Sequence, residues 1–401
     1  MNLLPARNTA RPGDDPIFAL NREATQRRAA GERVINATVG ALLEDDGSLA
    51  VLPTVLAALR DTPDAKAAGY APIAGPADFH RAVIDDLLGG TPLADQAVAV
   101  STPGGTGALR HALSVFLDPG QSLLTSSFYW GPYATLCEEN NRTLTTFPMF
   151  TEALGFDAEA FARSLDAMAQ AQGRILVFLN DPCHNPTGYS MTEAEWTAAA
   201  EALRAVSARV PTAIVADVAY LAYGRDQRSF LRHLGPLTAR AAVLFAWSGS
   251  KAFTLYGGRV GALVACTADP AQRDAIHRAL SFACRGTWSN CNAAGMHAVT
   301  RCLTDPALRA AVSEERARLR DLLAARVTAF NAAAAGTGLR YPRYDGGFFV
   351  TVFAKDARDA AERLKARGVF VVPQPGALRV ALCSVAEGDV PALVEALAAV
   401  V

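Results

Sequence analysis

Short apolar runs alternate with amphipathic stretches along most of the chain. Residues 97–100 (Ala-Val-Ala-Val), 122–125, 175–180, 213–217, 242–247 and 260–265 are almost continuously apolar and bounded by turn residues, so each reads as a buried strand. Apolar positions at 52–59 and 79–88 recur at helical spacing, and helical stretches separate most of the strands. Buried strands with helices between them predict an α/β fold, with a mainly parallel sheet covered on both faces. The ends read differently. The first dozen residues resemble an extended arm; Asp14, Asp15 and Pro16 then open a helix to about residue 30, with Asp15 as its cap. Residues 34–40 are extended and end at Gly40. Asp305-Pro306 repeats the cap-then-proline start and opens a long helix to about residue 335. Beyond it, strands at 347–353, 369–372 and 378–382 with a helix over 357–367 make a smaller α+β unit.

A chain of 401 residues exceeds one ordinary core, so one large and one small domain are expected. The expected division is 1–45 (arm and part of the small domain), 46–300 (large domain) and 301–401 (small domain), with the long helix joining the two around 300. Lys plus Arg number 38 and Asp plus Glu 39, with no basic stripe, which excludes a polyanion-binding surface. The expected partners are small molecules or a second copy of the chain, not nucleic acid. The seven cysteines form no CxxC pair and are odd in number, which fits reduced thiols. The run MNLLPARNTARPGDDP has no apolar signal core, and no stretch reaches the roughly 18 apolar residues of a membrane span. A cytoplasmic location is therefore expected. The histidines have no metal-ligand spacing, so no metal is expected.

Four strand ends carry chemistry. Gly104-Gly105-Thr106-Gly107 stands between a strand and a helix, where free backbone N–H groups bind an anion; a tight strand-to-helix turn needs the same small residues. Asn185-Pro186-Thr187-Gly188 follows the 175–180 strand and aims an amide at the sheet edge, although such dipeptides also mark ordinary loops. Asp217 closes the 213–217 strand, at the edge where open α/β sheets bind ligands. A buried carboxylate needs a positive partner such as a pyridinium nitrogen; capping of the next helix is the alternative role. Lys251, in Ser248-Gly249-Ser250-Lys251, follows the 242–247 strand, and its amine can condense with an aldehyde cofactor.

Together these runs resemble the class I, fold-type I aminotransferases dependent on pyridoxal phosphate, and within them the aspartate and aromatic amino acid group. The matching runs also include Ile35 to Gly40, Tyr70 to Gly75, Thr102 to Leu109, Leu255 to Gly261, Arg285 to Asn290 and Leu378-Arg379-Val380. The resemblance implies a large domain with a seven-stranded, mainly parallel sheet between helices, plus a smaller α+β domain. It implies that Lys251 forms the internal aldimine and shuttles the proton between the substrate Cα and the cofactor. Asp217 keeps the pyridine nitrogen protonated, Asn185 and Tyr220 bond its phenolic oxygen, and Trp130 stacks on the ring. Gly105, Thr106, Ser248 and Arg259 hold the phosphate, with Tyr70 reaching it from a partner subunit of a homodimer. Arg379 clamps the substrate α-carboxylate, with the segment at Gly40 closing over it. Arg285, from the neighbouring subunit, reaches the distal carboxylate of aspartate or glutamate.

The implied activity is transfer of an amino group from an acidic or aromatic L-amino acid to a 2-oxo acid such as 2-oxoglutarate. A β-lyase on the same scaffold starts from the same adduct and is the alternative; a non-catalytic sensing module would want a further DNA-binding domain. Three positions depart from the family pattern: Pro132-Tyr133 stands where Asn-His is common, Cys291-Asn292 replaces paired prolines, and Arg379-Val380-Ala381 lacks an asparagine two places after the arginine. His184 reads as structural, because Lys251 already fills the role of base.

Overall fold

The computed structural model describes residues 3–9, 11, 13 and 15–401. The backbone forms two units: Met1–Leu49 with Ala325–Tyr341 and Phe348–Val401, and Ala50–Ala324 with Pro342–Gly347. The division falls inside the long helix Pro306–Ala334 rather than near residue 300. Asp305 caps that helix by accepting from the N–H groups of Ala307 (2.9 Å) and Leu308 (3.1 Å).

The larger unit is built on a seven-stranded sheet in the order Ala97–Pro103, Val260–Cys266, Ala242–Ser248, Thr212–Asp217, Ile175–Asn180, Ser122–Ser126, Thr143–Phe147. From Ala242–Ser248 to Thr143–Phe147 every pairing is parallel. The central strands read as unbroken apolar runs because both their faces are covered. Val100, Leu109, Leu123, Phe178, Val215, Leu244 and Leu263 meet in one core cluster.

One strand runs against the rest. Val260–Cys266 is antiparallel to both its neighbours. Its beginning therefore lies level with the carboxyl ends of the flanking strands, pairing Val260 with Pro103 and Gly261 with Ser248. On the other side the register aligns Asn180 with Asp217, and Asp217 with Ala246. A single sheet edge thus collects Pro103, Ser248, Asp217 and Asn180.

The smaller unit holds a parallel pair, Ile35–Asn36 with Val369–Phe370, and a three-stranded antiparallel sheet of Val372–Gln374, Ala377–Val380 and Val350–Phe353. Fully buried Arg326 ties its loops, donating to Cys383 O and Leu43 O (2.7 Å each) and to Asp45 Oδ1 (2.8 Å).

Several expectations are corrected. The opening arm contains a short helix, Ala6–Thr9; its residues 1, 2, 10 and 12, and Asp14 of the following cap, lie outside the described residues. Asp15 does cap the Pro16–Ala29 helix, accepting from Ile17 N at 2.8 Å. The run at 369–372 is two short strands that join different sheets, and the one expected at 378–382 ends at Val380, before a 3-10 turn at Leu382–Ser384. Among the described residues no helix is long and apolar enough to cross a membrane.

Candidate active site

The glycine run after Pro103 opens the Gly104–Phe116 helix, whose first-turn N–H groups have no intrahelical acceptor. Gly104 has φ +71, and a Cβ there would lie 2.5 Å from Arg259 Nη2. A Cβ on Gly105 would lie 3.4 Å from Ser248 Cβ, and one on Gly261 would lie 2.5 Å from the Gly104 carbonyl carbon. Glycine at 104 and 261 is thus what lets the helix N-terminus and Arg259 converge, while a Cβ on Gly105 would only touch Ser248. The Arg259 guanidinium is held by Ser250 Oγ (3.3 Å), Tyr256 O (2.9 Å) and Pro103 O (3.3 Å). Arg259 itself takes φ 50, a left-handed conformation that non-glycine residues adopt only under constraint. The cup combines a helix dipole, a guanidinium and a serine hydroxyl, and suits a phosphate-sized anion.

Beside it lies a buried polar chain. Asp217, 5% exposed, accepts from Tyr133 Oη at 2.6 Å and from Ala219 N at 3.2 Å. Burial pushes its pKa up to about 6, against the two hydrogen bonds, which lower it. Asn180 Nδ2 donates to Asp217 O (2.8 Å), and Asn180 Oδ1 accepts from Asn185 N (2.6 Å). Asn185 Nδ2 donates to Tyr220 Oη at 3.2 Å. Lys251 Nζ stands 4.6 Å from the ring centroid of Tyr256 and 5.8 Å from that of Tyr220, and Tyr223 Oη donates to Lys251 O at 3.2 Å. Trp130 reaches the group through Tyr133, edge to face at 5.8 Å.

The structure therefore brings together Gly105, Thr106, Ser248 and Arg259 at the cup, and Trp130, Asn185, Asp217, Tyr220 and Lys251 along the polar chain. Tyr70 and Arg285 lie apart: Tyr70 is 96% exposed, and Arg285, also exposed, donates to Ser289 Oγ at 2.7 Å. In the smaller unit, Arg379 is buried, donates to Thr38 O at 2.6 Å and stacks 4.7 Å over Phe349. The same Phe349 ring fills the space a side chain on Gly40 would need, 2.4 Å from a Cβ there. His184 is buried between Ser126 Oγ (3.3 Å) and Thr187 Oγ1 (2.9 Å), and burial lowers its pKa to about 3, so it is a neutral structural group.

Sequence reasoning missed Asn180 and Tyr133. Asn180 is the polar end of an apolar strand, the same signal that marks Asp217. Tyr133 had only one signal, its place in a departure from the family pattern.

The aminotransferase class I and II family profile matches residues 32–397. The chain belongs to this family. The aromatic-amino-acid aminotransferase of Paracoccus denitrificans is 31% identical over 324 residues, 77% of this chain and 79% of that protein. The aspartate aminotransferase of Pseudomonas aeruginosa is 29% identical over 379 residues, 89% and 90%. An aminotransferase structure from Anaerococcus prevotii superposes with a TM-score of 0.95 at 33% identity, covering 99% of each chain. The aromatic-amino-acid aminotransferase of Burkholderia pseudomallei, covalently bound to pyridoxal phosphate, superposes at 0.84 with 25% identity over 100% of each chain. The enzyme is an aminotransferase, and pyridoxal phosphate is its cofactor. The lyase alternative is not favoured.

Proposed function

We propose that this aminotransferase takes the amino group from an acidic or aromatic L-amino acid and delivers it to 2-oxoglutarate or a similar 2-oxo acid, with Lys251 as its catalytic residue. The observation that carries the reading is the hydrogen-bonded series Tyr133–Asp217–Asn180–Asn185–Tyr220, which ends beside Lys251 and an anion cup.

The residues fit the cofactor. The glycine-lined cup gathers helix N–H groups, a guanidinium and a hydroxyl suited to its phosphate, and the buried Asn185 Nδ2 and Tyr220 Oη offer donors for its phenolic oxygen. When bound, pyridoxal phosphate supplies an aldehyde for amino groups and a ring that withdraws electrons from the substrate α-carbon. Lys251 Nζ would hold that aldehyde and would move the proton at the substrate α-carbon. Asp217 faces the ring nitrogen and favours its protonated form. Tyr220 and Asn185 bond the phenolic oxygen, and Trp130 packs on the ring. Gly105, Thr106, Ser248 and Arg259 hold the phosphate. Arg379, braced by Thr38 O and Phe349, is the guanidinium assigned to the substrate α-carboxylate.

The exposure of Tyr70 and Phe282 supports a homodimer in which Tyr70 and Arg285 complete the neighbouring site. The names of the relatives divide between aspartate, tyrosine and aromatic-amino-acid aminotransferases, which supports both donor classes. The test is a panel of L-amino acids against 2-oxoglutarate, read by mass spectrometry. Aspartate or an aromatic amino acid is expected to yield glutamate and its own 2-oxo acid. Release of ammonia and pyruvate without glutamate would contradict the proposal.

A further inference from the structure

We infer that Tyr133 is a positioning residue for the cofactor's ring nitrogen, acting through Asp217; this rests on the pairing of Asp217 with that nitrogen proposed above. Tyr133 Oη donates to Asp217 Oδ2 at 2.6 Å, and the two residues are only 1% and 5% exposed. A protonated phenol facing a carboxylate donates, so the contact favours the ionised acid. Burial and the Asp217 charge together hold the phenol protonated well above its ordinary range, so the donor does not titrate at working pH. The other titratable group acting on Tyr133 is Tyr220.

The phenol is fixed in place before any ligand arrives. Pro132 starts the Pro132–Glu139 helix, and Tyr133 N donates to Trp130 O at 2.9 Å, so one turn carries both rings. The Tyr133 ring stands edge to face against Trp130 (5.8 Å, 90°) and Phe178 (5.3 Å, 81°), and lies parallel to Tyr129 at 6.4 Å. These contacts leave the hydroxyl one direction, toward Asp217. Ala219 N, on Oδ1, is the second donor to the carboxylate. With both oxygens held, the carboxylate keeps one orientation and its charge, which is what a protonated ring nitrogen needs opposite it. The position is also one of the three at which the chain departs from the pattern common in its family.

Tyr133→Phe keeps the ring packing and removes only the donor. Full-length wild type, Y133F and D217A are stripped of cofactor, checked for folding by thermal melting, and titrated back with pyridoxal phosphate and with its 1-deaza analogue, whose ring has C–H in place of nitrogen. Wild type should bind pyridoxal phosphate more tightly than the analogue, and D217A should lose that preference. Y133F should lose roughly 10- to 100-fold in affinity for pyridoxal phosphate, the worth of one hydrogen bond to a charged group, and almost nothing for the analogue. A wild-type preference retained in full by Y133F but lost by D217A overturns the role of Tyr133 alone. No preference in wild type overturns the pairing of Asp217 with the ring nitrogen itself.

Discussion

Asn185 donates from Nδ2 to the Tyr220 hydroxyl at 3.2 Å, while its Oδ1 is buried without a partner among the described residues. A buried amide with one end unsatisfied costs stability, about 1–3 kcal/mol for the unpaired group. The donor end is the one a ligand oxygen uses: the second Nδ2 hydrogen can go to the ring's phenolic oxygen, while Tyr220, accepting from the first, gives its own hydroxyl proton to the same oxygen. Asn185→Ala should therefore raise the pH at which the Lys251-bound cofactor loses its proton by about one unit, since one hydrogen bond to the anion is lost. Spectrophotometric titration measures it, and an unchanged midpoint would remove Asn185 from this role.

The cup makes a steric prediction. Gly261→Ala places a methyl group 2.5 Å from the Gly104 carbonyl carbon, backbone that cannot swing aside. The helix N-terminus must move away from Ser248 and Arg259. Affinity for inorganic phosphate and for pyridoxal phosphate should both fall, by tenfold or more, on the order of 1.4 kcal/mol. Retained affinity for both would show that the cup does not hold the phosphate.

How much of this was legible in the sequence follows from what each element faces. The strands ending at Asn180, Asp217 and Ser248 are covered on both sides, so unbroken apolar runs revealed them; Asp217 and Ser248 marked the ligand edge, while the same polar end at Asn180 went unread. Thr143–Phe147 sits at the sheet margin with mostly exposed positions, and its Thr-Leu-Thr-Thr-Phe pattern offers no apolar run to read. The smaller unit gathers three separated segments, a long-range association that local periodicity does not encode. The Tyr133–Asp217 contact spans 84 positions in sequence and depends on the turn set by Pro132, so no motif announces it.

His111 offers a test of packing and pH. It is fully buried, stacked 4.1 Å from Trp288, and neither ring nitrogen has a hydrogen-bond partner among the described residues. His111→Phe keeps the ring and removes two unpaired polar atoms, so it should stabilise the fold by about 1–2 kcal/mol at pH 7. Burial lowers the His111 pKa from 6.5 to about 4, so between those values the unfolded chain binds more protons than the native one. Wild-type stability from this group is complete above pH 6.5 and lost as pH falls toward 4. His80 (about 4) and His184 (about 3) act in the same direction, and Asp181 (about 7) and Asp217 (about 6) oppose them; all four are common to both proteins. The advantage of H111F should therefore widen below pH 6.5 by up to about 1.4 kcal/mol per unit. Denaturant melts at pH 7.5 and 5 measure this, and a constant or shrinking gap would contradict it.

Arg285 is exposed at the end of the Pro270–Thr287 helix, with Ser289 as its side-chain partner. If it reads the distal carboxylate of a neighbour's substrate, Arg285→Leu should lower kcat/KM for aspartate or glutamate by about 2–5 kcal/mol in transition-state terms, and that for phenylalanine far less. Steady-state kinetics on both donors decides it, and equal losses would free Arg285 of that role.

The central claim is that Lys251 carries the cofactor. Borohydride reduction of the holoenzyme, followed by proteolysis and mass spectrometry, tests it most directly. The pyridoxyl mass should sit on the peptide containing Lys251 and be absent from Lys251→Ala treated alike. A stable label on any other lysine of the wild-type enzyme, with Lys251 unmodified, would contradict the account.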